Sequence, residues 1–453
     1  MPPGDSVNPL ALLVLVIMAL VILRATCSRA VGALLITASF IPLGQQIVFL
    51  GLHLYFLRIL ILVCLVRLTT RGELNGLIFT TIDKLFLGWV ATGVTCSVLR
   101  GPSAETFGWA YDCLGVYFSI RILTERSGND VASHVRTLAL VAMAMAAFMA
   151  FERLTHRNLF HFLGGVPEVP SERDERFRAQ GPFRHAILAG TFGATTLPLV
   201  IGLQFQRNAT RTKAILGGLA CIVITLASAS SGPLMSFLGA VIGLVLWPFR
   251  FKMRFIRRGL LLMLLGLALV MNAPVWYLIG RLSEITGGTG FYRSFLIEQA
   301  IKHFGEWWLI GSSRTAHWSP WESNVLVFDP NNIDITNHYI VQGLHGGILM
   351  LGLFVSMIVV CYKTIGSWAR DPESSTNAKL MWGAGAALTA HCLAFISVSY
   401  FDQIKVFWFW LLAVISAMSC QGPGMASQEP QLHADVEKAP LVATLEGSEG
   451  ARM

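Results

Sequence analysis

The chain has 453 residues, of which 54% are hydrophobic and only 13% charged, and its formal net charge is +8. Soluble domains carry about 25% charged residues. A mean hydropathy of +0.61, spread over repeated continuous apolar runs, therefore excludes a separate soluble domain of useful size. The runs are long enough to cross about 30 Å of hydrocarbon and do not alternate. They point to an all-α, polytopic integral membrane protein of about twelve or thirteen transmembrane helices, not a β-barrel. The basic residues sit largely in short connections, where positive-inside bias puts them, so nucleic acid is not expected as a partner. The eight cysteines show no metal or redox spacing and read as small buried hydrophobes.

The N-terminal transmembrane helices occupy 1–151, with spans expected near Pro9–Leu23, Val31–Ile47, Leu54–Leu68, Leu85–Leu99, Phe107–Leu123 and Leu138–Phe151. The first lacks a positive n-region and is followed by more spans, so it reads as a retained span. Gln45, Gln46 and His53 interrupt the second, which either merges with the third or stops short of it. Arg24 and Arg29, then Arg71 and Lys84, then Arg121, Arg126 and Arg136 flank alternate connections, which parity places in the cytoplasm. The charged connection 152–184 then faces outward. Its first half reads as a solvated, disordered loop. Its end differs: Arg178, Gly181, Arg184 and His185 run straight into an apolar span. Charges at the mouth of a bundle are costly without a partner, so these are candidate binding residues.

The central transmembrane region covers 185–280. Arg207, Arg211 and Lys213 mark a cytoplasmic turn, and the spans Ala214–Leu226 and Leu234–Trp247 are joined by a small-residue turn, 227–233. That turn allows close backbone approach and offers amides and hydroxyls; it equally suits helix packing. Arg250, Lys252, Arg254, Arg257 and Arg258, with no acid among them, place the next connection in the cytoplasm. The span from Leu260 must then emerge outward, which puts 281–338 on the outer face as the main functional loop. It holds Arg281, Arg293, Arg314, His317, Asp334, Asn337 and His338. Leu296, Ile297, Ala300, Ile301, Phe304, Trp307 and Trp308 share one helical face, as expected of an amphipathic helix lying at the interface or plugging the bundle. The C-terminal transmembrane helices, 339–420, comprise Tyr339–Tyr362 and a hairpin of Leu380–Ile396 and Val406–Met418. The tail 421–453 has no apolar period and reads as disordered and cytoplasmic. Thirteen spans put the N-terminus outside; twelve put it inside.

Several stretches resemble one family. Asn337-His338-Tyr339-Ile340, followed by Gly346-Gly347 and Leu351-Gly352-Leu353, resembles the helix start of the O-antigen ligase and polymerase superfamily of bacterial envelope glycosyltransferases. The resemblance spans roughly 180–396. Thr336 stands where the family usually has a His, His338 follows the Asn instead, and His345 falls where an acid is common. Phe291-Tyr292-Arg293 and Arg178-x-x-Gly181-x-Phe183-x-His185 are similar to other family segments. The Ser230-Ser231-Gly232 turn resembles one that often carries an Arg after the Ser. No Arg follows here, so that phosphate contact is either missing or supplied by another residue. The resemblance implies a polyprenyl-diphosphate-linked glycan as donor, inverting transfer on the periplasmic face of the bacterial inner membrane, no metal or other cofactor, and as partners membrane lipids and polysaccharide assembly proteins.

The residue types suit that chemistry. Charge grows on a lipid-diphosphate leaving group, and guanidinium forks match phosphate oxygens. Arg178, Arg293 and Arg314 are candidates, with Arg184 and Arg281 behind them. A sugar hydroxyl needs a base near neutrality; His338 is the expected one, with Asn337 orienting ring or sugar, Asp334 nearby, and His317 and His185 as alternatives. Tyr339 is counted with the substrate-binding set. Asp329 and Asp334 have no third ligand fixed by spacing, so no metal site is expected there. The expected function is a metal-independent glycosyltransferase of polymerase type, to which the departing His pattern points. Alternatives are ligase-type transfer to a lipid-anchored acceptor, or a transporter of polysaccharide or lipid-linked substrate. A structural scaffold would leave Asn337, His338 and the arginines unexplained.

Overall fold

The computed structural model describes residues 7–425, apart from 43, 50–51, 102, 174, 207–210, 286–289, 320–331 and 371–374. The chain is mostly helical. In order come α1 (Pro9–Arg24), α2 (Cys27–Phe40), α3 (Phe56–Thr70), α4 (Thr81–Arg100), α5 (Ala104–Arg126), α6 (Val131–Thr155), α7 (Ala186–Leu203), α8 (Arg211–Ala227), α9 (Ser231–Val245) and α10 (Met253–Val270). Then follow α11 (Tyr277–Ile285), α12 (Gly290–Lys302), α13 (Phe304–Trp307), α14 (His338–Trp368), α15 (Ser375–Ser397) and α16 (Ile404–Met425). Two small antiparallel hairpins interrupt them: β1 (Gln46–Phe49) with β2 (Leu52–Tyr55), and β3 (Ser171–Arg173) with β4 (Arg176–Arg178).

The expected spans fall on helices, except for the end of the second, and several helices begin at a polar cap. Thr80 closes a capping box with Asp83 at the start of α4, Ser103 caps α5, Asp130 caps α6, and Asn337 caps α14. Among the described residues, five helices are long and apolar enough to cross a membrane, and up to six if α9 and the segment Trp247–Val270, bent by 79°, form one span. α1, α2 and 404–420 are shorter apolar helices. α3 and α8 have 15 and 17 residues, and α5 carries Asp112, Arg121 and Glu125 within its length.

α7 sits at the centre of the bundle, with 89% of its residues buried. It packs on α8, α9 and α15 through small residues. A side chain on Gly193 would lie 2.8 Å from the Cys221 carbonyl oxygen, and one on Gly383 2.6 Å from the Pro198 carbonyl oxygen. Such contacts let backbones approach closely. α14 packs on α4 and α15, and α16 on α5. By contrast α10 buries none of its side chains.

Hydrogen bonds between connections sort the two ends of the bundle. At one end the Asn8 amide donates to Gln45 Oε1 (2.9 Å) and its side chain to the Phe162 carbonyl (2.6 Å). Gln403 donates to the carbonyls of Ile41 (3.3 Å) and Pro182 (2.9 Å), and Arg100 to that of His345 (2.9 Å). At the other end Arg67 donates to the Ile22 carbonyl (2.6 Å), and Arg126 to that of Glu73 (2.9 Å). The start of α1 thus shares its end with the 152–184 and 281–338 connections.

Three local expectations are corrected. The first half of 152–184 is folded: it contains a 3-10 turn, Leu159–Leu163, whose carbonyls at 162 and 163 bind Asn8 and Gln45. The second span does not reach Ile47; α2 ends at Phe40 and the β1–β2 hairpin turns the chain. Arg121 does not flank a loop. It is fully buried on α5, 3.5 Å from the equally buried Asp83 of α4, and Tyr117 (2.5 Å) and Ser416 (2.7 Å) also donate to that carboxylate. The expected tail lies almost wholly outside the described residues, although α16 continues to Met425.

Candidate functional site

The site is built at the end of the bundle that holds the start of α7. Glu152, in the last turns of α6, accepts from the amides of Gln180 (3.0 Å) and Gly181 (2.8 Å) through its two carboxylate oxygens. Gly181 sits at φ +56, and a Cβ there would lie 3.2 Å from Met145 Sδ. This pins the segment Arg178–His185 against the bundle. Arg178, at the end of β4, donates from Nη2 to Ser230 Oγ (2.7 Å), and Ser230 donates in turn to the Ser228 carbonyl (2.8 Å). A guanidinium therefore stands at the Ser230-Ser231-Gly232 turn, although no arginine follows the serines in sequence.

His185 is the residue that precedes α7. It is exposed at the surface yet crowded by protein. Burial lowers its pKa first, the nearby Arg178 and Arg184 lower it further, and Asp334 opposes them. The imidazole is thereby held neutral at neutral pH. Burial raises the Asp334 carboxyl, with His185 opposing. The Tyr292 hydroxyl donates to the main-chain oxygen of Asp334 (2.7 Å); burial and the Asp334 charge push its pKa up to about 12. Next to it on α12, Arg293 is only 6% exposed. Its surroundings include Arg173 of β3, a second cation, and no carboxylate pairs with Arg293 among the described residues. A buried cation without a counter-charge is costly.

The cluster continues across the α15–α16 connection. Arg184 lies 3.9 Å from Asp402, which occupies the left-handed region at φ 53. Burial raises the Asp402 carboxyl, opposed by Arg184 and Lys405. Arg184, Asp402 and Lys405 open onto a cleft of about 1360 Å³ whose lining includes Asn8, Arg58 and Asp112.

The other expected site residues lie elsewhere. Asn337 is buried and serves as the N-cap of α14, accepting from the amides of Tyr339 (3.0 Å) and Ile340 (3.2 Å). His338 is buried inside the bundle. Its Nδ1 accepts from the Tyr400 amide (3.1 Å), its Nε2 faces the Gln342 side-chain amide at 3.1 Å, and its ring is packed among Phe354, Phe395 and Tyr400. Both ring nitrogens thus face protein. Tyr339 donates to the Cys392 carbonyl (3.2 Å). Arg281 and Arg314 are exposed, and no hydrogen bond or ion pair among the described residues ties either side chain to the Arg178 cluster. His317 meets Glu306 and His303 instead.

The expected apolar face from Leu296 to Trp308 divides. Leu296, Ala300 and Trp307 are buried, whereas Ile301, Phe304 and Trp308 are exposed. The helix breaks at His303, and Trp307 joins Trp318 and Leu344 in a small core over α14. Sequence reading missed Asp402 and Lys405, although a polar island, Asp402-Gln403-x-Lys405, between two apolar spans was a signal. It also missed His303 and Glu306, which stand one helical turn apart.

Fold and site together define a polytopic helical membrane protein with a charged site gathered at one end of its bundle. No protein-family model matches the chain, and no curated protein matches it significantly.

Proposed function

We propose that this protein is a metal-independent glycosyltransferase of polymerase type, acting on a polyprenyl-diphosphate-linked glycan at the outer face of a bacterial inner membrane. The reading rests on one observation above others: the buried Arg293, paired with no carboxylate among the described residues and with Arg173 beside it, at the end of the bundle where Arg178 meets Ser230. Fixed cations in a confined site favour a phosphate-bearing ligand. An acceptor sugar hydroxyl attacks the anomeric carbon of the donor. The new C–O bond forms as the bond to the diphosphate breaks, the electron pair passes to the phosphate oxygen, and the hydroxyl proton passes to a base. His185 suits that role, because it is accessible, kept neutral by burial and Arg178, and set near Asp334. Arg178 and Arg293 stabilise the leaving diphosphate. In this reading His338 and Asn337 are positioning residues: one holds the Tyr400 amide beside Asp402, the other starts α14. The cleft reached through Arg184 and Lys405 has room for an acceptor glycan.

The basic run from Arg250 to Arg258 supports a cytoplasmic location for the opposite end. Thirteen spans then run from an outer N-terminus to a cytoplasmic C-terminus, with membrane lipids around the bundle and polysaccharide assembly proteins as partners. The test is to incubate the purified protein with a lipid-diphosphate oligosaccharide. Lengthened lipid-linked chains support polymerase activity, transfer only when a lipid-anchored acceptor is added supports a ligase, and uptake into vesicles without bond change would support a transporter.

A further inference from the structure

We propose that His303, Glu306 and His317 form a divalent transition-metal site, suited to Zn²⁺, that clips the segment after α13 to the end of α12. The three side chains each offer a ligand atom, and these atoms lie within 4.8 Å of one another. Glu306 sits between the two imidazoles: His303 Nδ1 is 2.7 Å from Oε1, and His317 Nε2 is 2.8 Å from Oε2.

The supporting shell is already built. The Trp318 indole donates to Glu306 Oε2 (3.2 Å), and its ring stacks on His303 with centroids 5.3 Å apart and planes at 13°. Trp318 is 1% exposed, so the hydrogen-bonded carboxylate and one imidazole rest on a fixed wall. Metal ligands are commonly oriented by such outer contacts. The ligating side remains open, with His317 and Glu306 side chains 51% and 40% exposed, which leaves a path for the ion.

Two imidazoles and one carboxylate match Zn²⁺ and its first-row neighbours; Mg²⁺ and Ca²⁺ prefer all-oxygen shells. Bonds of about 2.0–2.1 Å in a tetrahedral arrangement set ligand atoms roughly 3.3 Å apart. The present hydrogen bonds would open by about half an ångström to admit the ion. A metal would then tie His317 to His303, fourteen positions earlier, across a loop that also carries Arg314. This site is separate from the Arg178–His185 cluster and does not depend on the transfer reaction.

The experiment uses the full chain, purified without a histidine tag, in detergent micelles. Co²⁺ is added as a spectroscopic probe, then displaced by Zn²⁺. We expect one equivalent of Co²⁺ with visible bands of low-symmetry nitrogen and oxygen coordination, displaced by Zn²⁺ but not by Mg²⁺. His317→Ala and Glu306→Gln should each lose that equivalent, while Zn²⁺ should protect the 304–318 segment of the wild type from proteolysis and raise its unfolding temperature. Failure of the wild type to bind a stoichiometric ion, or wild-type binding by a folded His317→Ala, would overturn the proposal. Because the wild-type titration and protection are read without any variant, misfolding of a variant does not rescue it.

Discussion

At the scale of single residues, the site turns on which cation meets which group. Arg178 occupies the place at the Ser230 turn that sequence alone leaves empty. Loss of one pre-positioned donor to a developing oxyanion costs about 10²–10³ in rate, so Arg178→Ala and Arg293→Ala should each reduce transfer by that order. Arg293→Lys should recover only part, because an ammonium supplies a point charge and no planar fork. Full transfer by Arg293→Gln at normal membrane abundance would contradict this role. The base makes a second prediction, with a definite sign. As the proposed base His185 must be neutral, and its pKa in the folded protein is lowered below the ordinary value of about 6.5 by burial and then by Arg178. Transfer should therefore persist as pH falls to about 6.5 and fail only below it. Asp334 is the group that raises this pKa, so Asp334→Asn should move the acid limb to still lower pH. A limb that stays fixed in Asp334→Asn would remove His185 from the base position.

Among the elements, α14 shows what the sequence made legible and what it did not. Its apolar run, its Asn337 cap and its two glycines were all readable. The consequence of Gly346-Gly347 was not. The backbone leaves helical geometry there, with Gly347 at φ +67, and the exposed groups are taken up by the 308–312 segment: Ile348 N–H donates to the Trp308 carbonyl (2.8 Å) and Ser312 N–H to that of Leu344 (2.9 Å). A Cβ on Gly347 would lie 2.3 Å from the Leu309 carbonyl oxygen. Periodicity reports one helix at a time, so it could not show that the α13 segment docks on this kink, nor that its apolar face splits at His303. Likewise His338 stands beside a cap and reads as a surface base, but the turn after Asn337 carries it inside, under Tyr400. Helix positions were legible because each is a continuous apolar run between caps; site membership was not, because Arg178, Ser230, His185, Asp334 and Asp402 come from four separate connections. Two outcomes test the element. Asn337→Ala should lower stability by about 0.5–2 kcal/mol, with Asn337→Asp close to wild type. Gly347→Ala should uncouple the α13 segment and expose it to proteolysis, whereas a substitution at the exposed Gly305, where a Cβ meets nothing within 4 Å, should not.

For the whole molecule, the two ends differ in kind. One holds the accessible charged site and the cleft. The other is stitched by enclosed ion pairs, Arg121 with Asp83 and Arg67 with Glu73. Removing one partner of a buried pair leaves the other charge without compensation, at about 3–5 kcal/mol. Arg121→Met should therefore lower folded yield and thermal stability without altering donor affinity in the fraction that folds. The sidedness is equally open to measurement: a reporter at Gly290 should lie outside and one at Met253 inside, and a cytoplasmic Gly290 would invert the reading. The most direct measurement gives purified wild-type protein and the Arg178→Ala variant a lipid-diphosphate oligosaccharide, and follows both glycan length and release of free lipid diphosphate. We expect the wild type to lengthen the lipid-linked glycan with one lipid diphosphate released per bond formed, and the variant to do neither at a comparable rate. Intact donor with no released lipid diphosphate from well-folded wild-type protein, with or without a lipid-anchored acceptor, would contradict the assignment of this site to glycan transfer.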